Sequence, residues 1–173
     1  EDEIYLKNLA LENNVLFMGP EAGTTILNGT VFGFGNRVRK GSVGIIGASG
    51  TGIQEASTMI DLFGEGISHA IGVGGRDLRN DIGGMMTMKA MEIFENDPNT
   101  EAVLLVSKPV NDDVRNKIVN KINNFSKKNY VLCLVGDNEN REDTDKIKFS
   151  KSIQTSVLKI LKYLNDDAYK KIT

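Results

Sequence analysis

The sequence predicts an α/β domain with a doubly wound parallel sheet, and three kinds of observation lead to this fold class. Ala102–Val106 and Val131–Val135 are apolar throughout, and Ser42–Gly47 has the core residues Val43, Ile45 and Ile46. None of the three shows the alternation of a half-exposed strand, so all three are predicted to be strands buried on both faces. Helical spacing of apolar residues separates them. Glycine-rich turns follow several of them. Strands that alternate with helices of about 10–15 residues build βαβ units and a parallel sheet.

The first half of the chain carries elements of mixed strength. Apolar residues at helical spacing mark helices, short apolar runs mark strands, and Gly19-Pro20 ends one such run. Thr51–Phe63 shows the clearest stripe. The predicted elements are a helix over 2–13, a strand over Val15–Met18, strand pieces around Ile26, Val31 and Phe32, the strand Ser42–Gly47, the helix Thr51–Phe63 and the strand Ile67–Val73.

The second half shows a more regular alternation. Asp97-Pro98 stops the first helix, because a proline there cannot continue it. The next helix carries Val114, Ile118 and Ile122 on one face. The predicted elements are the helix Asp81–Glu95, the strand Ala102–Val106, the helix Asp112–Phe125, the strand Val131–Val135 and the helix Ser150–Leu164.

Composition bounds the function. The chain has 173 residues, 40% of them hydrophobic, and a net charge of −2, which fits one compact domain and argues against a nucleic-acid binder. One cysteine and one histidine exclude a disulfide framework and the common zinc sites, so we expect no metal. No apolar run or signal peptide indicates a membrane or secretion. We therefore expect a cytoplasmic protein, and a fragment, since the first residue is Glu1.

Ligands of such a sheet bind outside the carboxyl ends of the strands. The first candidate loop there is Gly47–Gly52, which runs from a strand into a helix. Its residues Ser49, Gly50, Thr51 and Gly52 leave backbone N–H groups open to a phosphate or carboxylate at the helix N-terminus. No lysine follows the last glycine, so this is not a Walker loop. A tight turn with Ser49 or Thr51 as N-cap remains the alternative.

The second candidate loop is Gly72–Asp77. Its Gly74 and Gly75 permit a close backbone turn, and Arg76 could hold a phosphate or carboxylate in a fork. In the alternative interpretation, Arg76 pairs with Asp77 or with another neighbouring acid.

Three other features favour structural roles. His69, the single histidine, lies within a strand, which favours a hydrogen-bonded structural side chain. Cys133 lies in an apolar run and reads as a core residue. Four methionines crowd one helix and cover more than one of its faces, so we expect some to pack against another layer or subunit; they are Met85, Met86, Met88 and Met91.

Several of these motifs together resemble the FdrA family, which is in turn similar to the α subunit of succinyl-CoA synthetase and to NDP-forming acyl-CoA ligases. The similar segments are Phe17–Thr24, Ser42–Glu55, Gly66–Leu78 and Asp97–Pro109. The resemblance implies that residues 1–30 are the tail of a preceding CoA-binding-type Rossmann domain. It implies that residues 31–173 are a flavodoxin-like ligase domain. CoA would bind in the longer protein, and no cofactor in this fragment.

The resemblance also suggests catalytic residues. In the ligases, the loop equivalent to Gly47–Gly52 faces a phosphohistidine that a glutamate orients, and Glu92 matches that glutamate. Here the corresponding segment, Gly136–Asn140, contains no histidine, so we expect no phosphohistidine relay. Glu92 and Arg76 are the candidate catalytic residues. Glu21-Ala22 stands where the family has Asp-Cys.

The activity implied by the resemblance is carbamoyl transfer in allantoin breakdown, by one subunit of an oligomeric oxamate carbamoyltransferase. Its ligands would be carbamoyl phosphate, oxamate and phosphate, and its partners other enzyme subunits. One alternative is an NDP-forming acyl-CoA ligase subunit. The other is a non-catalytic assembly domain whose methionine-rich helix forms an interface.

Overall fold

A computed structural model describes residues 1–164 and 169–170 of the protein. Five helices and seven strands occur in this part. They follow in the order α1 (Asp2–Glu12), β1 (Thr24–Leu27), β2 (Thr30–Gly33), β3 (Lys40–Gly47), α2 (Gly50–Leu62), β4 (Ile67–Gly72), α3 (Met85–Asn96), β5 (Ala102–Ser107), α4 (Asp112–Phe125), β6 (Asn129–Leu134), β7 (Ile147–Ser150) and α5 (Ile153–Leu164).

All seven strands form one sheet in the order β2-β1-β4-β3-β5-β6-β7. The five strands β3 to β7 are parallel to one another, whereas β1 pairs antiparallel with both β2 and β4. Counted along the chain, the parallel strands have the order 2-1-3-4-5, which is the flavodoxin-like order. The predicted fold class is therefore confirmed, with an antiparallel hairpin added at one edge.

Helices cover both faces of the sheet. On β3, Ile45 packs into the cluster beneath α2 and α5, whereas its neighbour Ile46 packs into the cluster beneath α3 and α4. This alternation explains why β5 and β6 carry apolar residues on both of their faces. Cys133 is buried in the first cluster, as predicted, and burial raises the pKa of its thiol.

The four methionines of α3 all pack on its own domain. Met86 and Met91 are buried, and Met85 and Met88 are partly buried against the same cluster. The crowding therefore reflects packing against the sheet layer, the first of the two expectations.

Two predicted elements differ from the structure, and one strand of the structure was not predicted. Val15–Met18 forms no strand and lies outside the helices and strands, and the amide of Phe17 donates to the Met86 sulfur at 3.2 Å. Helix α3 begins at Met85 instead of Asp81, because Gly83 and Gly84 adopt positive φ angles that a helix does not accommodate. Strand β7 was not predicted, because it is only four residues long and two of them, Lys148 and Ser150, are polar.

Residues 1–30 share the sheet with the rest of the chain. The predicted boundary after residue 30 falls inside the β1–β2 hairpin, where Leu27 pairs with Thr30. Helix α1 is held by a buried ion pair in which Lys7 Nζ lies 2.7 Å from Asp77 Oδ1. The origin of residues 1–30 in a preceding domain stays a prediction. Within the described residues, no helix is long and apolar enough to cross a membrane.

Candidate functional site

The carboxyl ends of four parallel strands meet at one edge of the sheet. Strands β3, β4, β5 and β6 run in the same direction, so the loops that follow them open on this edge. The chain passes from β3 to β4 on one side and returns to β5 on the other. The gap between β3 and β5 is therefore the switch point at which such sheets bind ligands. The loop Gly47–Gly52 stands at this gap.

Ser49 is the N-cap of α2, as the structural alternative predicts. Its Oγ accepts the amide hydrogen of Gly52 at 3.2 Å, and its carbonyl oxygen accepts that of Ile53 at 3.0 Å. The amides of Gly50 and Thr51 find no acceptor within the part of the chain that the structure describes. Two N–H groups therefore remain at the positive end of the helix dipole, where an anion is favoured.

Small residues let this helix approach its neighbours. A Cβ atom at Gly52 would lie 2.8 Å from Val106 Cγ1 on β5, and one at Gly50 would lie 3.3 Å from Thr24 Oγ1. The amide of Ala48 donates to the carbonyl oxygen of Val106 at 3.0 Å. The start of α2 is therefore fixed beside β5.

The loop Gly72–Asp77 lies next to the first loop. The amide of Val73 donates to the carbonyl oxygen of Gly47 at 3.0 Å. Gly74 has φ +90°, and a Cβ atom there would overlap the carbonyl oxygen of Pro20. The structure thus brings Gly74 and Gly75 alongside the Gly47–Gly52 loop, as the parallel sheet predicts.

Arg76 points towards carboxylates. Its Nε lies 3.4 Å from Glu3, its Nη2 lies 3.6 Å from Asp81, and the side chain is about half exposed. The alternative interpretation, pairing with a neighbouring acid, is therefore confirmed, although the acid is not Asp77. An anion at the edge would have to compete with these two carboxylates for the guanidinium.

Asp77 has a structural task. Its buried carboxylate accepts hydrogen bonds from Lys7 Nζ at 2.7 Å, from the amides of Met86 and Thr87 at 3.1 and 2.9 Å, and from Thr87 Oγ1 at 2.8 Å. It therefore caps α3 from outside the helix, at the end where a negative charge is stabilised. The same group fixes α1 to the edge loops.

Glu92 lies apart from these loops. It stands in the second half of α3, where Lys121 of α4 donates to its Oε1 at 2.8 Å and lowers the pKa of the carboxyl. It shares a groove with Phe125 and Ser126, which precede the amino end of β6. The structure therefore does not bring Glu92 and the Gly47–Gly52 loop together, and its catalytic role stays a prediction.

His69 is a hydrogen-bonded structural residue, as predicted. Its Nδ1 accepts the amide hydrogen of Asn28 at 3.1 Å, and its Nε2 lies 3.4 Å from the Asp97 carboxylate, at the end of α3. It does not reach the strand-end edge. In the loop after β6, Arg141 is paired with Asp137 at 2.9 Å.

Sequence reasoning missed the segment 19–24, which crosses both glycine loops. A Cβ atom at Gly72 would lie 2.6 Å from the carbonyl oxygen of Thr24, and Glu21 lies next to Gly75. The sequence offered one signal for this segment, the Gly19-Pro20 pair, which indicates a turn. It does not indicate which residues the turn contacts. Among the described residues, no group of three or more His, Cys, Asp or Glu side chains could hold a metal ion.

The sequence of this chain is similar to a known domain family and to several known proteins. The CoA binding domain family matches residues 38–125. The uncharacterized protein YahF of Escherichia coli is 45% identical over 159 residues, which cover 92% of this chain and 31% of that protein. The succinate–CoA ligase α subunit of Aquifex aeolicus is 31% identical over 117 residues, covering 61% of this chain and 35% of that subunit.

Solved structures share the fold. An acetyl-coenzyme A synthetase of Ca. Korarchaeum cryptofilum, in complex with phosphate and ADP, matches 89% of this chain and 37% of its own with a TM-score of 0.65 at 16% identity. ATP citrate lyase of Methanothrix soehngenii matches 96% of this chain and 30% of its own, with a TM-score of 0.63 and 16% identity.

The chain spans about a third of the length of the curated relatives that it matches. The family profile covers half of the chain, including β3, α2, β4, α3, β5 and α4, and therefore all of the Gly47–Gly52 and Gly72–Asp77 loops. The resemblance to succinyl-CoA synthetase α subunits is thereby confirmed. The chain belongs to the CoA-binding domain family, as a ligase-like domain related to succinyl-CoA ligase α subunits.

Proposed function

We propose that the strand-end edge binds the phosphate group of an acyl phosphate, and that the chain serves in an enzyme that transfers its acyl group. The observation that carries this proposal is the pair of amides at Gly50 and Thr51. They stand at the first turn of α2, at the switch point of the sheet, and donate to no acceptor in the described part of the chain. Backbone N–H groups at a helix N-terminus favour negative charge.

The neighbouring loop contributes the rest of the anion site. Gly75 is exposed beside the first loop, whereas Gly74 is buried beneath Pro20 and shapes the turn. Arg76 supplies a guanidinium if the anion draws it from Glu3 and Asp81. Because such donors are fixed in advance, they stabilise charge that develops on a leaving phosphate. The structural relative from Ca. Korarchaeum cryptofilum was solved in complex with phosphate and ADP, which supports a phosphate ligand for this chain as well.

The acyl group is carbamoyl in this proposal, with oxamate as acceptor, as the FdrA resemblance suggests. His69 is the single histidine, and its ring lies among Asn28, Phe94 and Asp97, away from the loops. An acyl phosphate that arrives ready-made needs no phosphohistidine in this chain. Relatives are named as subunits of ligases, so other enzyme subunits would complete the site, and CoA would bind in the longer protein.

One substitution tests the anion site directly. Thr51→Pro removes one of the two amide hydrogens, and the first turn of a helix tolerates proline. Thr51→Ala is the matched control, because it removes the side chain and keeps the amide. We expect phosphate affinity, measured by isothermal titration calorimetry, to fall roughly tenfold in Thr51→Pro. Equal affinities in the two variants would contradict the site.

An NDP-forming acyl-CoA ligase is the second candidate function. The names of the curated relatives favour it, since several are CoA ligase α subunits. It requires a covalent phosphoenzyme, and the loop Gly136–Asn140 offers no histidine for it. The anion site itself is common to both functions, so the phosphoenzyme distinguishes them.

A further inference from the structure

The two edges of the sheet differ in how their outward backbone groups are bonded. On the outer side of β7, the amide of Ile147 donates to Thr144 Oγ1 at 3.0 Å, and that of Phe149 donates to Asp143 Oδ1 at 2.8 Å. The segment that precedes β7 therefore supplies acceptors for this edge. Strand β2 forms the other edge, and it has no such cover in the part of the chain that the structure describes.

Hydrogen bonding within the β1–β2 hairpin shows which groups of β2 face outward. Leu27 and Thr30 flank a two-residue turn and are a bonded pair, and further along the amide of Phe34 donates to the carbonyl oxygen of Gly23 at 2.8 Å. Because backbone groups alternate between the two sides of a strand, Val31 directs its N–H and C=O away from β1. Among the described residues, nothing accepts the Val31 N–H.

The side chains at this edge are apolar and uncharged. Phe32 is 51% exposed, and Met18, which lines the same groove, is 38% exposed. No charged residue occurs between Ala22 and Asn36. Proteins commonly protect an exposed edge strand with a lysine, a proline or an inward-pointing charge, and β2 has none of these. The edge is therefore suited to pairing with another strand.

We propose that β2 pairs antiparallel with β2 of a second copy of this chain, across a twofold axis close to Val31 and Phe32. A strand without charges meets its own copy without repulsion, whereas a charged partner strand would find no opposite charge here. Each Val31 N–H then donates to a carbonyl oxygen of the copy, and the two Phe32 side chains become cross-strand neighbours on one face. A twofold axis uses each edge once, so association ends at a dimer. This dimer does not depend on the proposed anion site.

The geometry of β2 sets the strength of the dimer. The strand has four residues, and Gly33 has a φ of +70°, which ends its regular geometry. The ladder that the two copies share is therefore short, and the area that it buries lies below that of a standard protein interface. We expect a dissociation constant of about 10–100 µM.

Charge complementation at residue 32 tests this pairing. Sedimentation equilibrium of the full chain gives the dissociation constant, and far-UV circular dichroism checks the fold of each variant. Phe32→Lys and Phe32→Glu each place two like charges near the twofold axis, so we expect each to weaken association at least about tenfold. An equimolar mixture of the two variants brings opposite charges together and restores association. Phe125→Lys, at an exposed phenylalanine that ends α4, is the control and should leave the dissociation constant unchanged.

Hydrogen exchange gives a second readout that needs no substitution. As the concentration of the wild-type chain is raised through the dissociation constant, the Val31 amide should exchange more slowly, because it gains an acceptor. The Ile147 amide, at the other edge of the sheet, already has Thr144 as its acceptor. Its exchange rate should stay constant.

Several results would overturn the pairing of β2 with its copy. A wild-type chain that stays monomeric up to about 1 mM has no such dimer. A dimer that neither substitution at residue 32 weakens uses another surface. If both folded variants are monomeric and their mixture does not associate, the two copies do not meet at residue 32. Exchange at Val31 that is equally fast in monomer and dimer also contradicts the shared ladder.

Discussion

Lys7 is the residue with the least expected environment in this protein. Its side chain is fully buried, with Nζ 2.7 Å from Asp77 and 3.0 Å from Glu3. Around it, α1 leaves Tyr5, Leu6 and Leu9 exposed to solvent. A helix that buries its lysine and exposes its leucines inverts the usual pattern. The reason is Asp77, whose buried charge needs a partner.

Removal of that partner should be costly. In Lys7→Met the Asp77 carboxylate stays buried without its counter-charge, and we expect the free energy of unfolding to fall by about 3–5 kcal/mol. Urea denaturation followed by circular dichroism measures this. Lys127→Met, at an exposed lysine, serves as the control and should change stability by less than about 0.5 kcal/mol. A similar small effect at both sites would show that Asp77 needs no ion pair.

At the scale of elements, the crossing of the segment 19–24 over the glycine loops depends on Gly74. In Gly74→Ala a methyl group would overlap the Pro20 carbonyl oxygen, and the φ of +90° adds strain. We expect a loss of about 2–4 kcal/mol of stability by thermal or urea unfolding.

Gly136→Ala is the matched comparison. Gly136 has a similar φ of +82°, but nothing lies within 4 Å of the position that its Cβ would take. At Gly136 only the strained left-handed backbone lowers the free energy of unfolding, by about 1–2 kcal/mol. If Gly74→Ala costs no more than Gly136→Ala, then the contact with Pro20 contributes nothing to stability.

Sequence patterns predict the elements of this fold well where the apolar period is regular. Helix α4 has the predicted bounds, Asp112–Phe125, because one clear stripe and an Asn111 cap define it. Sequence patterns fail to predict an element where contacts between residues far apart in the chain determine the local structure. The segment Val15–Met18 has the composition of a strand but pairs with no other strand. Helix α3 starts late because Gly83 and Gly84 leave the helical conformation and because Asp77, eight residues before Met85, supplies its cap.

The candidate site shows the same limit. The loops Gly47–Gly52 and Gly72–Asp77 follow from strand order alone, since parallel strands end at one edge. The orientation of Arg76 towards Glu3, the distance of Glu92 from the loops and the approach of Glu21 all depend on contacts between residues far apart in sequence. No local period contains that information.

At the scale of the whole molecule, the position of His69 bears on the reaction class. The loops that could hold a phosphate lie at one edge of the sheet, whereas the ring lies beside Asp97, at the end of α3. We expect that incubation with radioactive ATP leaves no acid-labile phosphate on the chain, since no histidine can meet the anion site. A succinate–CoA ligase α subunit, treated in parallel with its partner subunit, is the positive control. Stoichiometric acid-labile labelling of this chain would favour the ligase function.

The buried amine of Lys7 also has a chemical consequence. Acyl phosphates modify exposed amines, and under the proposed function this domain meets such reagents whenever it binds its ligand. Among the lysines that the structure describes, Lys7 alone is fully shielded, so it can be acylated only when α1 has left the edge loops. Once acylated it can no longer neutralise Asp77, and α1 cannot return to its place. An acyl group found on Lys7 would therefore show that α1 had separated from the edge loops at an earlier time.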